Sequence, residues 1–485
     1  MQTNEACLSN CYTLPLRQIT KSRFMSNSSL TFQEFPAASK AEWIAKIEKE
    51  LKGGNFEDLF THYGGDITLS PTYHSEDLPS AAVVPARTSK IVDTIEGIYV
   101  DDASKGNKAI LDVLNKGCSG VMLYLEKGVQ LAPLLADVLI EHITVHYVSN
   151  GEASNVQSQL LDIITERGLN PAEIRGSINV DPIENLARTG EWFSSEESDF
   201  NTLESLINSP LKSMNNLAVN ANIYHNAGAS TATELGLTLA HAHEFIGRWG
   251  SSAFIHTTFN MAIGKSYLLE VAKFRALRSL WAKVGEAYET EAAAHIYAET
   301  GLRNKTIFDP NVNMLRTTTE AMSALIGGVD EICVQPYDIT FRESTPQARR
   351  VARNQALVMQ YEAFVTKVND PAAGSYAIEN LTNDLCEEAW KVFREIEAKG
   401  GMIEALKSGF VQELIEREAA IEQELYNEGK IILVGTNKFP NAAEKMSKEA
   451  TTPLFASDNS EGKVIRKIVA RRLSEAEEQT RLKAE

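Results

Sequence analysis

The run TIEGIYVDDASKGNKAILDVLNKGCSGVMLYLEKGVQLAPLLADVLIEHITVHYV, from Thr94 to Val148, decides the fold class of this 485-residue chain. Its short β-branched or aromatic segments, TIEGIYV, GVMLYL and HITVHYV, alternate with longer amphipathic stretches. This alternation is typical of parallel strands joined by helical crossovers, because parallel neighbours need a long connection between them.

The same alternation continues far along the chain. Further strand candidates are IRGSINV from Ile174, LAVNANIY from Leu217, AFIHTTF from Ala253, AAAHIYA from Ala292 and EICVQP from Glu331. The clearest predicted helices are Thr231–Arg248, Lys265–Glu286, Asn313–Ile326 and Thr345–Val365. Eight strand–helix units over roughly 280 residues favour a closed (β/α)8 TIM barrel. An open doubly wound sheet would more often carry a Gly-rich phosphate turn after its first strand, and the sequence has none there.

Segments outside the barrel complete the predicted organisation. We expect a disordered or extended N-terminus at 1–36, a helical arm at 37–85, the barrel at 86–370 and a C-terminal helical extension at 371–485. The arm begins with the capping-box residues Ser39 and Glu42, ahead of an apolar helical repeat that includes Trp43. In the extension, the pattern predicts helices from Asn380 to Lys399, onward to Glu428 and from Gly462, and a strand-like KIILVG run ending at Gly435.

The net charge and the distribution of cysteines limit the classes of protein to which this chain can belong. The formal net charge of −18 argues against nucleic acid as a partner, because phosphate backbones require clustered Lys and Arg. No apolar run is long enough for a membrane span. The five cysteines, including Cys7 and Cys11, are scattered without metal-type pairing, which favours a reduced, cytoplasmic protein. The first residues are basic and are read as either a transit-like segment or a disordered extension.

Candidate site residues follow from the rule that a barrel carries its reactive groups at the carboxyl ends of its strands. Strand five is predicted to end at Tyr224 and His225, where an imidazole and a phenol would hydrogen-bond or protonate a carbonyl oxygen. The equal alternative is a histidine that caps the next helix. The other predicted strand-end residues are Asn179, Asp181, Tyr297, Glu299 and Asp338.

Histidines and carboxylates do not group as metal ligands in the sequence, so no metal site is predicted. His241 and His243 stand two apart on a predicted helix and are interpreted as surface or packing residues. His256 and His295 fall in apolar strand candidates and are interpreted as core histidines. The GxSxG signature of a serine nucleophile does not occur.

Basic residues offer one further possibility. Arg303, Lys305 and Arg316 would suit a phosphate, and Arg316 is expected to open a helix, where backbone N–H groups favour anions. Ion pairs between neighbouring elements are the ordinary alternative. Taken alone, these residues predict an acidic cytoplasmic barrel protein and no reaction.

Several long stretches resemble the barrel of the adenosylcobalamin-dependent acyl-coenzyme A mutases, the methylmalonyl-CoA mutase family. They are AEWIAKIEKELKGGNFEDL, YHNAGASTATELGLTLAHAHEF, IGKSYLLEVAKFRALRSLWAKV, DPNVNMLRTTTEAMSALIGGVDEI, ARRVARNQALVMQYE and VNDPAAGSYAIENLT, which lie within residues 40–440. The phrases INVDPIENLARTG and VNMLRTTT look like the noncatalytic small subunit of bacterial heterodimeric mutases.

The sequence lacks several barrel motifs of the catalytic subunits, and these differences indicate which type of subunit it resembles. Catalytic subunits carry a strand-one motif reading roughly TIRQYAGF, whose tyrosine lies against the corrin; TIEGIYVDDA from Thr94 lacks it. Their strand four offers a glutamine and, ten residues on, an arginine that grips the substrate carboxylate. The matching positions here are Asn179 and Thr189, the latter beside Arg188.

Strand seven departs as well. The catalytic HCQTSG falls on Tyr297, Ala298, Glu299 and Thr300, and Glu299 would add negative charge where an anionic ester lies. Tyr224 and His225 keep the family's strand-five pair, so the resemblance implies a vestigial pair there. Tyr297, Glu299, Asn179 and Arg316 would then be remnants of a substrate pocket.

The resemblance implies a cofactor carried elsewhere. Members of the family usually append a B12 domain bearing DxHxxG, whose histidine ligates cobalt. No DxHxxG occurs in this sequence, and the residues after Gly435 are too few for such a domain. We therefore expect no cofactor on this chain alone, with adenosylcobalamin bound by a partner subunit.

The expected function is that of a small, noncatalytic subunit paired with a catalytic large subunit that interconverts (R)-methylmalonyl-CoA and succinyl-CoA. The arm around Trp43 and the post-barrel helices are the expected contacts with that subunit. Two alternatives stay open: a catalytic barrel whose B12 domain is a separate polypeptide, and a stand-alone acyl-CoA-binding protein.

Overall fold

The computed structural model describes residues 38–485 except 79, 80, 82, 88–90, 150 and 458. The chain divides into two compact units, residues 1–58 and residues 59–485. The predictions for residues 1–36, including those on Cys7 and Cys11, lie outside the described residues. The predicted domain limits at residues 85 and 370 stay predictions.

In the first unit, the described residues form helix α1, Lys40–Glu50. The hydroxyl of Ser39 accepts a hydrogen bond from the N–H of Glu42 (3.2 Å), and the Glu42 carboxylate accepts one from the N–H of Ser39 (2.9 Å). This reciprocal pair satisfies two backbone donors at the helix start. The predicted capping box is confirmed.

A short antiparallel hairpin opens the larger unit, with β1 at Thr61–Gly64 and β2 at Ile67–Leu69. The hairpin was not among the predicted elements of the helical arm. Strand β2 packs against the helix Tyr376–Ala398, so the hairpin is held by a segment more than 300 residues away. Short 3-10 turns, Phe56–Leu59 and Ser75–Asp77, flank it.

Eight parallel strands, β3 to β10, form the barrel. They are Asp93–Val100, Gly120–Leu125, Thr144–Val148, Arg175–Asn179, Leu217–Asn220, Thr257–Ile263, His295–Thr300 and Glu331–Cys333. They hydrogen-bond in the order β6-β5-β4-β3-β10-β9-β8-β7, so the last strand returns to the first. The predicted (β/α)8 barrel, with helical segments before and after it, is confirmed.

Helices alternate with these strands and continue beyond them. Helices α2 to α9 are Ala103–Asn115, Leu131–Leu134, Ala153–Arg167, Pro182–Thr189, Glu196–Ile207, Asn222–Ala227, Thr231–Trp249 and Ser252–His256. Helices α10 to α16 are Tyr267–Ala287, Pro310–Gly327, Pro346–Tyr361, Tyr376–Ala398, Met402–Lys407, Phe410–Asn427 and Glu475–Lys483. Of the helices in the described residues, none has the length and apolar character needed to cross a membrane.

Strand side chains alternate between two cores, as period-two geometry requires. In β4, Val121 and Leu123 point outward and join the large core between strands and helices. Met122 points inward, where it packs with Tyr297 and Cys333. The barrel axis is therefore filled by side chains at this level.

The barrel closes between β6 and β7 mainly through side chains. Gly176 and Met214 share a single β-bridge, and the N–H of Ile178 donates to the side-chain oxygen of Asn216 at 2.8 Å. Gly176 has a φ of +120°, and a Cβ there would overlap the backbone carbonyl of Val145. Glycine is required at this position for both reasons.

Two strand predictions were wrong at one end. The LAVNANIY candidate stops at Asn220, and its last residues form α7, so Tyr224 and His225 lie in a helix after the strand. The AFIHTTF candidate begins as helix α9, which places His256 at the end of a helix. Strand β10 ends at Cys333, and Asp338 lies in the following loop.

The C-terminal extension differs from prediction in its second half. KIILVG forms no strand, and only Val434 makes an isolated bridge, to Lys438. The helix expected from Gly462 was wrong, because residues 462–474 are not helical and α16 begins later. This segment is held by α5 and by the loop after β9: the N–H of Ile468 donates to the carbonyl of Ala187 (2.7 Å), and that of Leu473 donates to the carbonyl of Arg303 (2.8 Å).

Candidate functional site at the carboxyl ends of the strands

Glu299, one residue before the end of β9, carries a carboxyl group at the mouth of the barrel. Its carboxylate accepts hydrogen bonds from the side-chain amides of Asn222 (2.6 Å) and Gln335 (3.1 Å). The Tyr297 hydroxyl lies 3.5 Å from the same carboxylate. Burial raises the pKa of Glu299, although these three donors oppose the shift. The side chains of Asn222, Gln335 and Tyr297 therefore surround the Glu299 carboxylate as hydrogen-bond donors.

Two tyrosines complete this part of the mouth. The rings of Tyr99 and Tyr124 stack with centroids 4.8 Å apart. Tyr124 and Val148 pack on the inner cluster that contains Tyr297, while Tyr99 is exposed at the outer edge. The stacked pair therefore extends from the inner cluster, at Tyr124, to solvent at Tyr99, which is 80% exposed.

Three amides cover the opposite wall. Asn179, at the end of β6, exchanges two side-chain hydrogen bonds with Asn220, at 3.2 and 3.1 Å. Asn260 of β8 also donates to the amide oxygen of Asn220. The predicted pocket residue Asn179 is therefore paired with its neighbours.

A buried ionic group fills the base of the barrel. The Glu331 carboxylate lies 2.6 Å from the ring of His146 and 3.3 Å from that of His295. Burial alone would raise the pKa of Glu331, but the two imidazoles hold it below its usual value. Ser177 closes the group through a 2.8 Å hydrogen bond with the other nitrogen of His146.

Tyr224 and His225 point into different networks although they are adjacent in sequence. Tyr224 is fully buried, and its hydroxyl lies 3.0 Å from Nδ1 of His241. Nε2 of His241 lies 3.0 Å from the carboxylate of Asp181. If the carboxylate of Asp181 accepts from Nε2 of His241, as it accepts from the neighbouring backbone N–H groups, then Nδ1 of His241 accepts the hydrogen bond that the Tyr224 hydroxyl donates. The pair expected to act together on one ligand is thus separated.

His225 belongs to a second buried network. Its Nδ1 lies 3.5 Å from the carboxylate of Glu234, which also contacts Nζ of Lys273 at 3.2 Å. Burial alone would raise the pKa of Glu234, but Lys273 and His225 outweigh it and the pKa is lowered. A Cβ at Gly264 would lie 2.7 Å from the imidazole, so glycine there admits the ring.

The basic residues proposed for a phosphate form internal contacts. Arg303 pairs with Glu422 at 3.0 Å, and Lys305 pairs with Glu320 at 2.7 Å. Arg316 lies inside α11 instead of opening it, and its guanidinium donates to Thr306, Asn313 and the carbonyl of Val434. The ion-pair interpretation holds for Arg303 and Lys305.

Helix α15 lies across the loops that follow three strands. Glu418 accepts hydrogen bonds from Ser230 and Thr233 at the start of α8. Glu422 pairs with Lys265 after β8 and with Arg303 after β9. The C-terminal extension therefore covers this side of the barrel mouth.

Sequence comparison places this architecture in a family. The profile described as methylmalonyl-CoA mutase matches residues 116–484, well over half of the chain. The chain belongs to the methylmalonyl-CoA mutase family.

Individual members of the family give the same result. The chain is 34% identical to the methylmalonyl-CoA mutase small subunit of Porphyromonas gingivalis, over 85% of this chain and 71% of that one. It is 30% identical to the small subunit of Streptomyces virginiae, over 87% of this chain and 73% of that one. Identity to the mitochondrial methylmalonyl-CoA mutase of Homo sapiens is 26%, over 86% of this chain and 62% of that one.

Within the mutase family, the position of the substrate-gripping arginine is informative. Thr189 stands there, and its hydroxyl donates to the carbonyl of Asn185. The neighbouring Arg188 pairs with Glu184 at 2.6 Å on the helix surface. Burial raises the pKa of Glu184 to about 7, although Arg188 opposes this.

Sequence reasoning missed the two networks that organise the site. Asp181 and His241 lie 60 residues apart, and the fully buried His241 agrees with the packing interpretation, but its hydrogen bonds to Asp181 and Tyr224 were not predicted. Glu234 and Lys273 are ionised groups inside apolar helices, and that pattern alone is a signal for a buried pair. Within the described residues, no three His, Cys, Asp or Glu side chains group as a metal site.

Proposed function

We propose that this chain is a noncatalytic small subunit of an adenosylcobalamin-dependent methylmalonyl-CoA mutase. Its partner would be a catalytic large subunit that binds the cofactor and interconverts (R)-methylmalonyl-CoA and succinyl-CoA. The observation that carries the proposal is that Tyr224, His225 and Glu299 are all occupied by protein partners. The names of the Porphyromonas and Streptomyces relatives support the subunit assignment.

Electrostatics at the mouth support a noncatalytic role. Glu299 stands where catalytic members of the family carry a neutral amide, and among the residues that the structure describes no Lys or Arg lies within ion-pair distance of its carboxylate. An anionic acyl-CoA ester beside this carboxylate would be repelled. Burial of Tyr297 and Met122 in the axis also leaves an acyl group little room.

The residues do not fit a cobalamin. The buried His241 cannot serve as a lower ligand to cobalt, because Tyr224 and Asp181 use both of its ring nitrogens. The strand-one tyrosine that contacts the corrin in catalytic members has no counterpart in TIEGIYVDDA. We therefore assign the cofactor to the partner subunit.

The free thiols Cys118, Cys333 and Cys386 suit a reducing compartment, and we place the complex in the cytoplasm. Two of these thiols, Cys118 and Cys333, are buried. This localisation is the one in which the chain would meet an intracellular acyl-CoA.

Co-expression with the DxHxxG-bearing mutase subunit of the same organism tests the assembly. We expect the two chains to elute together in size-exclusion chromatography with light scattering at micromolar concentration, because obligate subunits share large apolar interfaces. Separate elution would contradict the proposal.

Activity assays test the noncatalytic role. This chain alone, given adenosylcobalamin and methylmalonyl-CoA, should form no succinyl-CoA, and the assembled complex should form it. In the complex, His225→Gln and Glu299→Gln should keep turnover near that of the wild type. Turnover by the lone chain, or by this chain with a free B12-domain protein, would instead establish a catalytic barrel. Tight acyl-CoA binding without assembly would establish a stand-alone binding protein.

A further inference from the structure

A cavity of about 550 Å³ lies between α15, the segment 460–474 and the start of α16. This volume falls within the range of small-molecule sites. Its lining includes the apolar side chains of Ile415 and Ile468 together with several basic residues. It is separate from the filled barrel axis.

The charged side chains that line the cavity are mainly basic, whereas the chain as a whole is acidic. Four basic side chains, Arg303, Lys467, Arg471 and Arg472, line the cavity with two carboxylates, Glu416 and Glu475, in a protein of net charge −18. A net positive lining inside an acidic protein favours an anionic ligand.

Most of these charges already have partners. Arg303 is neutralised by Glu422, and Arg472 by Glu478 at 2.6 Å. Lys467 differs, because across the described residues no carboxylate lies within ion-pair distance of its Nζ. Lys467 is the cation left for a ligand.

The lining also contains a buried polar side chain with an unused acceptor. Gln412 is 1% exposed, and its amide nitrogen donates to the carbonyls of Leu406 and Arg466. Its Oε1 and the Nε of Arg472 have no hydrogen-bond partner. A buried acceptor and donor left unpaired are costly, so a ligand that supplies hydroxyl or amide groups would stabilise this wall.

We propose that this cavity binds a phosphorylated small molecule that also carries an uncharged organic part. The phosphate would lie at Lys467, and the organic part against Ile415 and Ile468. This binding is independent of the proposed role of the chain in mutase assembly, because the site lies outside the barrel axis and uses none of the residues assigned there.

Isothermal titration calorimetry with adenosine 5′-diphosphate tests the site. We expect binding that Lys467→Glu weakens at least about tenfold and Lys467→Gln weakens less, because each removes the unpaired cation. Lys463→Glu is the matched control, since this lysine lies four residues away, is 81% exposed and pairs with Glu191 at the surface. The control should change affinity by no more than roughly twofold.

Two further probes test the organic part and the phosphate part of the ligand separately. Adenosine and inorganic pyrophosphate should each bind more weakly than the diphosphate, because each offers only one of the two contacts. Circular dichroism must show that all variants are folded, and if Lys467→Glu is not, Lys467→Gln decides. No diphosphate binding, equal affinity for adenosine, or equal weakening by Lys463→Glu would each overturn the proposal.

Discussion

The carboxylate of Asp181 accepts a hydrogen bond from the backbone N–H of Asn220 at 2.8 Å, and so connects β6 to β7 where the barrel closes. The same carboxylate caps α5 through the N–H groups of Ile183 and Glu184 and contacts His241. One buried side chain therefore joins two strands and two helices at the least regular part of the sheet.

Replacing Asp181 tests this closure. Asp181→Ala should lower the free energy of unfolding by about 3–5 kcal/mol, because it leaves a buried N–H, a helix start and a histidine without their acceptor. Asp102→Ala is the control, since Asp102 caps α2 at the surface and its loss should cost only about 1 kcal/mol. Urea unfolding followed by circular dichroism measures both. Equal losses in the two variants would refute the closure role.

Glu422 gives a pH-dependent prediction for the contact between α15 and the barrel loops. Burial alone would raise its pKa, but Lys265 and Arg303 lower it to about 2. A lowered pKa contributes stability above the unfolded value near 4.5, and that stability is lost as the pH falls toward 2.

Glu422→Gln should therefore cost about 2 kcal/mol near neutral pH and progressively less in acid. Thermal unfolding across this pH range measures the difference, and Glu424→Gln on the exposed side of the same helix is the control. A cost that does not vary with pH would show that the ion pairs are not its source.

Local patterns were sufficient for most of the barrel. Strands such as Gly120–Leu125 are short apolar runs that are buried at almost every position, and this pattern depends only on neighbours in sequence. The pattern failed at NANIYHNA, where β-type residues follow Asn220 but form α7. The strand ends there because Asp181 takes the N–H of Asn220, a contact that the local sequence does not contain.

The site was harder to predict than the fold, because its contacts also join residues that are distant in sequence. The sequence placed Glu299 correctly near the end of its strand, whereas Tyr297 lies in the middle of that strand. Whether the Glu299 carboxylate faces a cavity depends on Asn222 and Gln335. These two residues follow other strands of the barrel, and their side chains donate hydrogen bonds to Glu299. The extended segment after Gly462 is likewise fixed by distant backbone partners, which a local helical pattern cannot reveal.

Glu299 is expected to weaken the fold at neutral pH. Its pKa is raised by burial, so ionising it costs more in the folded than in the unfolded chain, and stability falls as the pH rises through the folded pKa. Glu299→Gln should stabilise the chain by on the order of 1 kcal/mol near neutral pH and have little effect in acid. Glu166→Gln, at an exposed position, should be neutral throughout. Destabilisation by Glu299→Gln would mean that the ionised carboxylate is required by its amide partners.

Tyr297 distinguishes a packed barrel axis from a ligand channel. Its ring is 1% exposed among Ile95, Met122 and Cys333, so Tyr297→Ala should open a cavity and cost about 3–5 kcal/mol of unfolding free energy. Tyr297→Phe keeps the ring and removes only a hydroxyl 3.5 Å from Glu299, so it should cost less than about 1 kcal/mol. Tyr361→Ala, which truncates a tyrosine that is 71% exposed, controls for loss of an aromatic ring in general. Chemical denaturation of the three variants measures these losses. If Tyr297→Ala costs no more stability than Tyr361→Ala, the barrel axis is a space kept for a ligand. The noncatalytic role would then lose its structural basis.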